Sequence, residues 1–87
     1  MKKIIFGVYD AVAAEYTFYG FRESENLLMR DLEIIVNSGD VNSVLVTATK
    51  DHSVYLLGYI DLVSGVIEPI NKKLICELMD LKHVQEN

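Results

Sequence analysis

Between Ser24 and Gly39 the apolar residues Leu28, Leu32, Ile35 and Val36 recur at steps of three and four, and this run constrains the fold more than any other feature. The spacing puts them on one stripe of a helix, and a helix with one apolar stripe must bury it against another element. Ser24 is a capping residue, and Glu25 sits in the first turn, where the macrodipole favours an anion. Gly39, after Asn37-Ser38, supplies a left-handed stop. The surface that receives the stripe has to come from the rest of an 87-residue chain, which is long enough for one core and too short for two.

That surface reads as a sheet. Residues 2–9 are β-branched and aromatic, and Tyr16-Thr17-Phe18-Tyr19 is strand-like again before Gly20, so the two segments form an antiparallel hairpin. Val44 to Thr49 and Val54 to Ile60 read as strands separated by the polar turn Lys50-Asp51-His52-Ser53. Gly58 marks a bulge or a close backbone approach. Val66 to Glu68 makes a brief strand that Pro69 ends. From Asn71, a capping residue, to about His83, the residues Leu74, Leu78 and Leu81 fall on one helical face bordered by Ile75. Residues 84–87 are polar and fray. The pattern predicts a single α+β domain over residues 1–87: a small antiparallel sheet of four to five strands and two helices, with the helices on one face.

A chain this short buries only about 60–65% of its unfolded surface, yet 51% of its residues are hydrophobic. Apolar surface is left over, and contiguous patches of it mark association sites, which predicts a homodimer or a partner-binding face. The formal net charge of −5 repels a polyanion at long range. The basic residues Lys2, Lys3, Arg22, Arg30, Lys50, Lys72, Lys73 and Lys82 are scattered, so any phosphate-binding patch must be assembled by folding. Cys76 stands alone, which suits a reducing cytoplasm. The opening Met1-Lys2-Lys3 and apolar run imitates a signal peptide, but Asp10 interrupts it too early, and no stretch approaches the ~20 apolar residues of a membrane span.

No phosphate loop, Cys pair or HExxH motif occurs. Cys76 reads as a small buried hydrophobe on an apolar helix rather than a nucleophile. His52, next to Asp51, reads as a solvated turn histidine, with a proton-responsive contact as the functional alternative. Glu23, Glu25, Asp31 and Glu33 read as a solvated helix face. With no activated group in view, the expectation is no enzyme, no cofactor and no metal. The aromatic segment Tyr16 to Phe21 is different in kind, because aromatic rings on an exposed sheet face stack unpaired bases. Arg22 and Arg30, just beyond it, suit phosphate contact or guanidinium stacking, or simple pairing within the helix.

Three segments resemble a known family. These are Val8-Tyr9-Asp10 closing the first strand, the capped helix from Ser24 through Arg30 and Leu32 to Val36-Asn37, and Tyr55-Leu56-Leu57-Gly58-Tyr59-Ile60-Asp61 followed by Ser64-Gly65-Val66-Ile67. Together they are similar to the small nonstructural protein of gokushovirus-type microviruses, tailless phages with circular single-stranded DNA. The turn Thr49-Lys50-Asp51-His52 departs from that family, keeping only the aspartate of its usual Pro-Glu-Asp-aromatic sequence. The resemblance implies an accessory role in single-stranded viral DNA synthesis or packaging, in the host cytoplasm. On that reading Lys2, Lys3, Arg22, Arg30 and Lys50 meet phosphates, and Tyr16, Tyr19 or Tyr55 meet bases. The alternative is a dimeric protein-interaction module that contacts a viral replication protein, a capsid protein or a host factor without touching DNA. An acidic nucleic-acid mimic fits the charge but lacks a long carboxylate ladder.

Overall fold

The computed structural model describes residues 1–83. Its elements are β1 (Lys2–Asp10), β2 (Glu15–Arg22), α1 (Glu25–Val36), the one-turn α2 (Val44–Thr47), β3 (His52–Asp61) and β4 (Ile67–Glu77). Short 3-10 turns at Thr49–Asp51 and Leu78–Leu81 flank β3 and follow β4. The four strands form one sheet in the order β2-β1-β3-β4, every neighbouring pair antiparallel. The expected α+β class with helices on one face is what forms.

α1 forms where its stripe predicts. Ser24 Oγ accepts from the Leu27 N–H at 3.2 Å, satisfying one of the four orphan donors at the helix start. The side chains that turn inward are Leu28, Leu32 and Val36. They pack on Ile4, Phe6 and Val8 of β1 and Val54 and Leu56 of β3, with Leu78 closing the cluster. Each such side chain contributes about 1.5–3 kcal/mol on leaving water. Ile35, at the border of the stripe, stays exposed. At the other end Asn37 ties the helix to the last turn: its Nδ2 donates to Glu33 O and Leu81 O, and its Oδ1 accepts from the His83 N–H.

Two expectations are corrected. The segment Val44 to Thr49 is helical rather than extended. The turn is closed by backbone bonds from the Val46 and Thr47 N–H groups to Ser43 O and from the Ala48 N–H to Val44 O; the Thr47 hydroxyl donates to Ser43 O, and the single proton of the buried Thr49 hydroxyl is shared between Leu45 O at 2.6 Å and Val46 O at 3.0 Å. The second correction is larger. Residues 71–77 continue strand β4 instead of starting a helix, and only Leu78–Leu81 turns. β4 runs straight through Pro69, which an edge strand tolerates because one side of it needs no ladder donor. The frayed tail expected at 84–87 lies outside the described residues.

Gly58 sits where both neighbouring strands change register, between Ile5 and Phe6 on β1 and between Leu56 and Gly58 against β4. A Cβ there would lie 2.4 Å from the Glu68 carbonyl oxygen. The close approach read from the sequence is therefore real.

Candidate functional site

Residues directly opposite on antiparallel strands share a face. Ile4, Phe6 and Val8 face the helical layer, so the register assigns the opposite, open face. Across it run the rows Tyr16, Tyr9, Ser53, Glu77 and Tyr19, Gly7, Tyr55, Leu74, each read from β2 through β1 and β3 to β4. Four tyrosines thus gather on the side with no helices.

Their rings touch. Tyr16 is the centre, with ring centroids 5.2 Å from Tyr9, 5.8 Å from Tyr19 and 6.1 Å from Tyr55. The contacts to Tyr9 and Tyr55 are edge-to-face, at 75° and 79°. Such pairs contribute about 0.5–1.5 kcal/mol each beyond burial. Gly7 makes the arrangement possible, because a Cβ at that position would meet the Tyr16 ring at 2.8 Å and Leu57 at 2.9 Å. Lys72 on β4 places its ammonium 5.0 Å from the Tyr55 ring centroid, a cation–π contact.

The structure brings Tyr16, Tyr19 and Tyr55 together and adds two residues that sequence reasoning missed. Tyr9 was hidden because it was counted as part of a covered strand; its place opposite Tyr16 in the hairpin was the available signal. Lys72 was hidden by the helix drawn over residues 71–83.

The cations named from the sequence are spread around the molecule. Lys2 pairs with Glu68 at 3.0 Å and Lys3 with Glu23 at 3.2 Å. Arg22 reaches across to α1, where its Nε donates to Asp31 Oδ2 at 2.7 Å, and it also pairs with Glu23. These pairings hold the Arg22 guanidinium above its ordinary value and Asp31 below it. Glu23 is held down to about 2, by its own backbone N–H first and then by Lys3 and Arg22. Arg30 is exposed on α1, and Lys50 is exposed in the 3-10 turn before β3.

The carboxylates concentrate elsewhere. Glu25, Asp31 and Glu33 ride on α1, Asp51 and Asp80 lie in the 3-10 turns, and Asp10 faces the buried His52. His52 is itself a correction. Its side chain is 0% exposed, with Nδ1 donating to Ala48 O at 2.8 Å and Nε2 3.6 Å from Asp10 Oδ2. It is a core residue that Nδ1 ties to the turn before β3, while Nε2 is buried without a hydrogen-bond partner among the described residues. Cys76 lies on β4 rather than on a helix, half-buried, and burial together with Asp80 and Glu77 pushes its thiol up to about 11. A thiol so raised stays protonated at neutral pH, which removes its nucleophilic form.

Fold and site together define a class: a small α+β protein whose antiparallel sheet is helix-covered on one face and tyrosine-lined on the other. The chain belongs to the Phage ORF5 protein family, whose model matches residues 3–81. No curated protein and no solved structure matches it. The phage resemblance drawn from the strand and helix motifs holds at the level of a phage protein family. Among the described residues, no helix is long and apolar enough to cross a membrane.

Proposed function

We propose that this phage protein is a nonstructural accessory protein of the gokushovirus type that binds single-stranded viral DNA through its open sheet face, in the host cytoplasm, without catalysing a reaction. The observation that carries the reading is the cluster of Tyr9, Tyr16, Tyr19 and Tyr55 with Lys72 on the face away from the helical layer. Sheet-borne aromatics stack unpaired bases whatever their identity, at about 1–3 kcal/mol per base. Tyr19, 60% exposed, and Tyr55, next to Lys72, are the stacking surfaces. Lys72 supplies the phosphate contact. Most of the carboxylates behind the net charge of −5 stand on the other layer or at the sheet ends, where they repel DNA least from this face.

Stacking dominates in this arrangement and phosphate contacts are few. With one or two cations engaged, log affinity falls with log salt at a slope of only about −0.7 to −1.4. A fluorescence-anisotropy titration of labelled oligo-dT at two salt concentrations tests this. Expected are micromolar binding, a loss of roughly 5- to 150-fold in Tyr19→Ala or Tyr55→Ala, and a shallower salt slope in Lys72→Ala. Absence of binding at tens of micromolar in low salt would end the proposal.

A further inference from the structure

Among the described residues no strand pairs with either outer edge of the sheet, and the two edges are not alike. β4 carries Pro69, Lys72 and Lys73 and changes register against β3 at two places, all of which obstruct the addition of another strand. β2 carries no proline and no lysine. Its Phe18, Tyr19 and Phe21 are 54%, 60% and 54% exposed, Phe18 on the helical face and Tyr19 and Phe21 on the open one. Natural sheets rarely leave such an edge bare.

We propose that β2 is a self-association edge: two copies of the chain pair antiparallel through residues 18–22, joining their sheets into one of eight strands. The occupant is a second copy because the strand is complementary to itself. Pairing about a two-fold axis at Gly20 keeps both faces in step. On the open face Tyr19 then lies opposite Phe21 of the second copy. On the helical face Phe18 lies opposite Arg22 of the second copy, whose guanidinium is already held in place by Asp31. Arg22 stacks on Phe18 there as a cation on a ring. The irregularity in β2 at Thr17, between the Val8–Phe18 and Tyr9–Tyr16 pairs, ends the regular stretch and fixes where pairing stops.

The areas set the strength. The chain exposes 5800 Å², against about 5,200 Å² for a compact monomer of its mass. Phe18 and Phe21 each leave about 100 Å² exposed, so the four phenylalanine rings of the pair contribute at most about 400 Å² before the backbone is counted, and Tyr19 keeps its outer face free. That is below the roughly 1,200–2,000 Å² of a standard stable interface, which puts the contact in the size class of weak, reversible association. The consequence for the open face is continuity, since the two tyrosine clusters then lie side by side on one surface. The dimer itself does not depend on DNA binding.

Sedimentation equilibrium of the full chain between about 5 and 500 µM tests it, with circular dichroism confirming that each variant folds. The wild type should move from the 9.9 kDa monomer towards twice that mass as concentration rises. Phe21→Lys should raise the dissociation constant at least tenfold, with Phe18→Lys as the second variant should the first fail to fold. Ile70→Lys on β4 should change it less than twofold. Amide exchange at residues 18–22 should slow with concentration in the wild type alone. A monomer across the whole range overturns the proposal, as does a dimer weakened by Ile70→Lys and indifferent to both β2 variants.

Discussion

Gly58→Ala is the substitution whose effect the structure fixes most tightly. The added Cβ would lie 2.4 Å from Glu68 O and 3.1 Å from Pro69 Cα, and both are backbone atoms. Neither can swing aside as a side-chain tip does, so β3 and β4 must part locally by about 1 Å to restore ordinary contact. Sheet strands sit about 4.8 Å apart because their hydrogen bonds hold them there. A separation of that size carries the neighbouring N–H···O bonds from about 2.9 Å to nearly 4 Å, outside the bonding range. Losing about two of them costs about 2 kcal/mol, and overpacking without separation costs a similar 1–3 kcal/mol. Alanine gains back about 0.4–1 kcal/mol by restricting the unfolded chain. The net loss is about 1–2 kcal/mol, or a fall in Tm of roughly 4–16 °C for a domain of this size. Thermal unfolding followed by far-ultraviolet circular dichroism measures it. A Gly58→Ala variant as stable as the wild type would show that the β3–β4 contact is not a close backbone approach.

Two further expectations follow from burial and charge. Leu78 is fully buried where the last 3-10 turn meets α1 and the sheet, so Leu78→Ala should cost about 2–5 kcal/mol in urea unfolding; a loss under about 1 kcal/mol would mean the turn does not close the core. Glu23 is held down to about 2 in the folded state against an ordinary 4.5, so its contribution is complete above about pH 4.5 and disappears as pH falls towards 2. The gap in urea midpoint between wild type and Glu23→Gln should be constant above pH 5 and narrow between pH 4.5 and 2, and a gap undiminished at pH 2 would refute the lowered titration of Glu23 by its own backbone N–H, Lys3 and Arg22.

The parts of the fold legible in the sequence are those whose local signals agree with their tertiary role. Leu28, Leu32 and Val36 recur at helical steps and Ser24 caps them, so α1 was readable to within a residue. β1 and β2 were readable from β-branched and aromatic runs joined by a medium, Ala-rich loop, and Gly58 from its position inside a strand. Where the reading failed, two patterns competed. Leu74, Leu78 and Leu81 fit a helix by spacing, but in the structure Leu74 shares the open face with Tyr55 and Leu78 belongs to a turn beyond the strand. Val44 to Thr49 has strand composition, yet it closes on itself through backbone bonds from Val46, Thr47 and Ala48 to the carbonyls of Ser43 and Val44. His52 looked polar because its neighbours are polar; the Ala48 carbonyl that receives its Nδ1 proton is a contact no spacing rule supplies.

The misread C-terminal segment changes the size of the open face. A helix over residues 71–83 would have joined α1 on the covered face and taken residues 71–77 out of the sheet. By continuing β4 to Glu77, that segment extends the platform and, among the described residues, leaves α1 with the short α2 and 3-10 turns as the helical cover. The face so exposed is not left to chance. Gly7 forgoes a side chain in a central strand, a choice that costs about 0.5–1 kcal/mol relative to alanine, and the space it vacates is filled by the Tyr16 ring. Tyr16 in turn braces Tyr9, Tyr19 and Tyr55 from one centre. Had stability been the sole constraint, an apolar side chain at position 7 and a polar row beside it would have served better, so the glycine is best explained by what it holds in place.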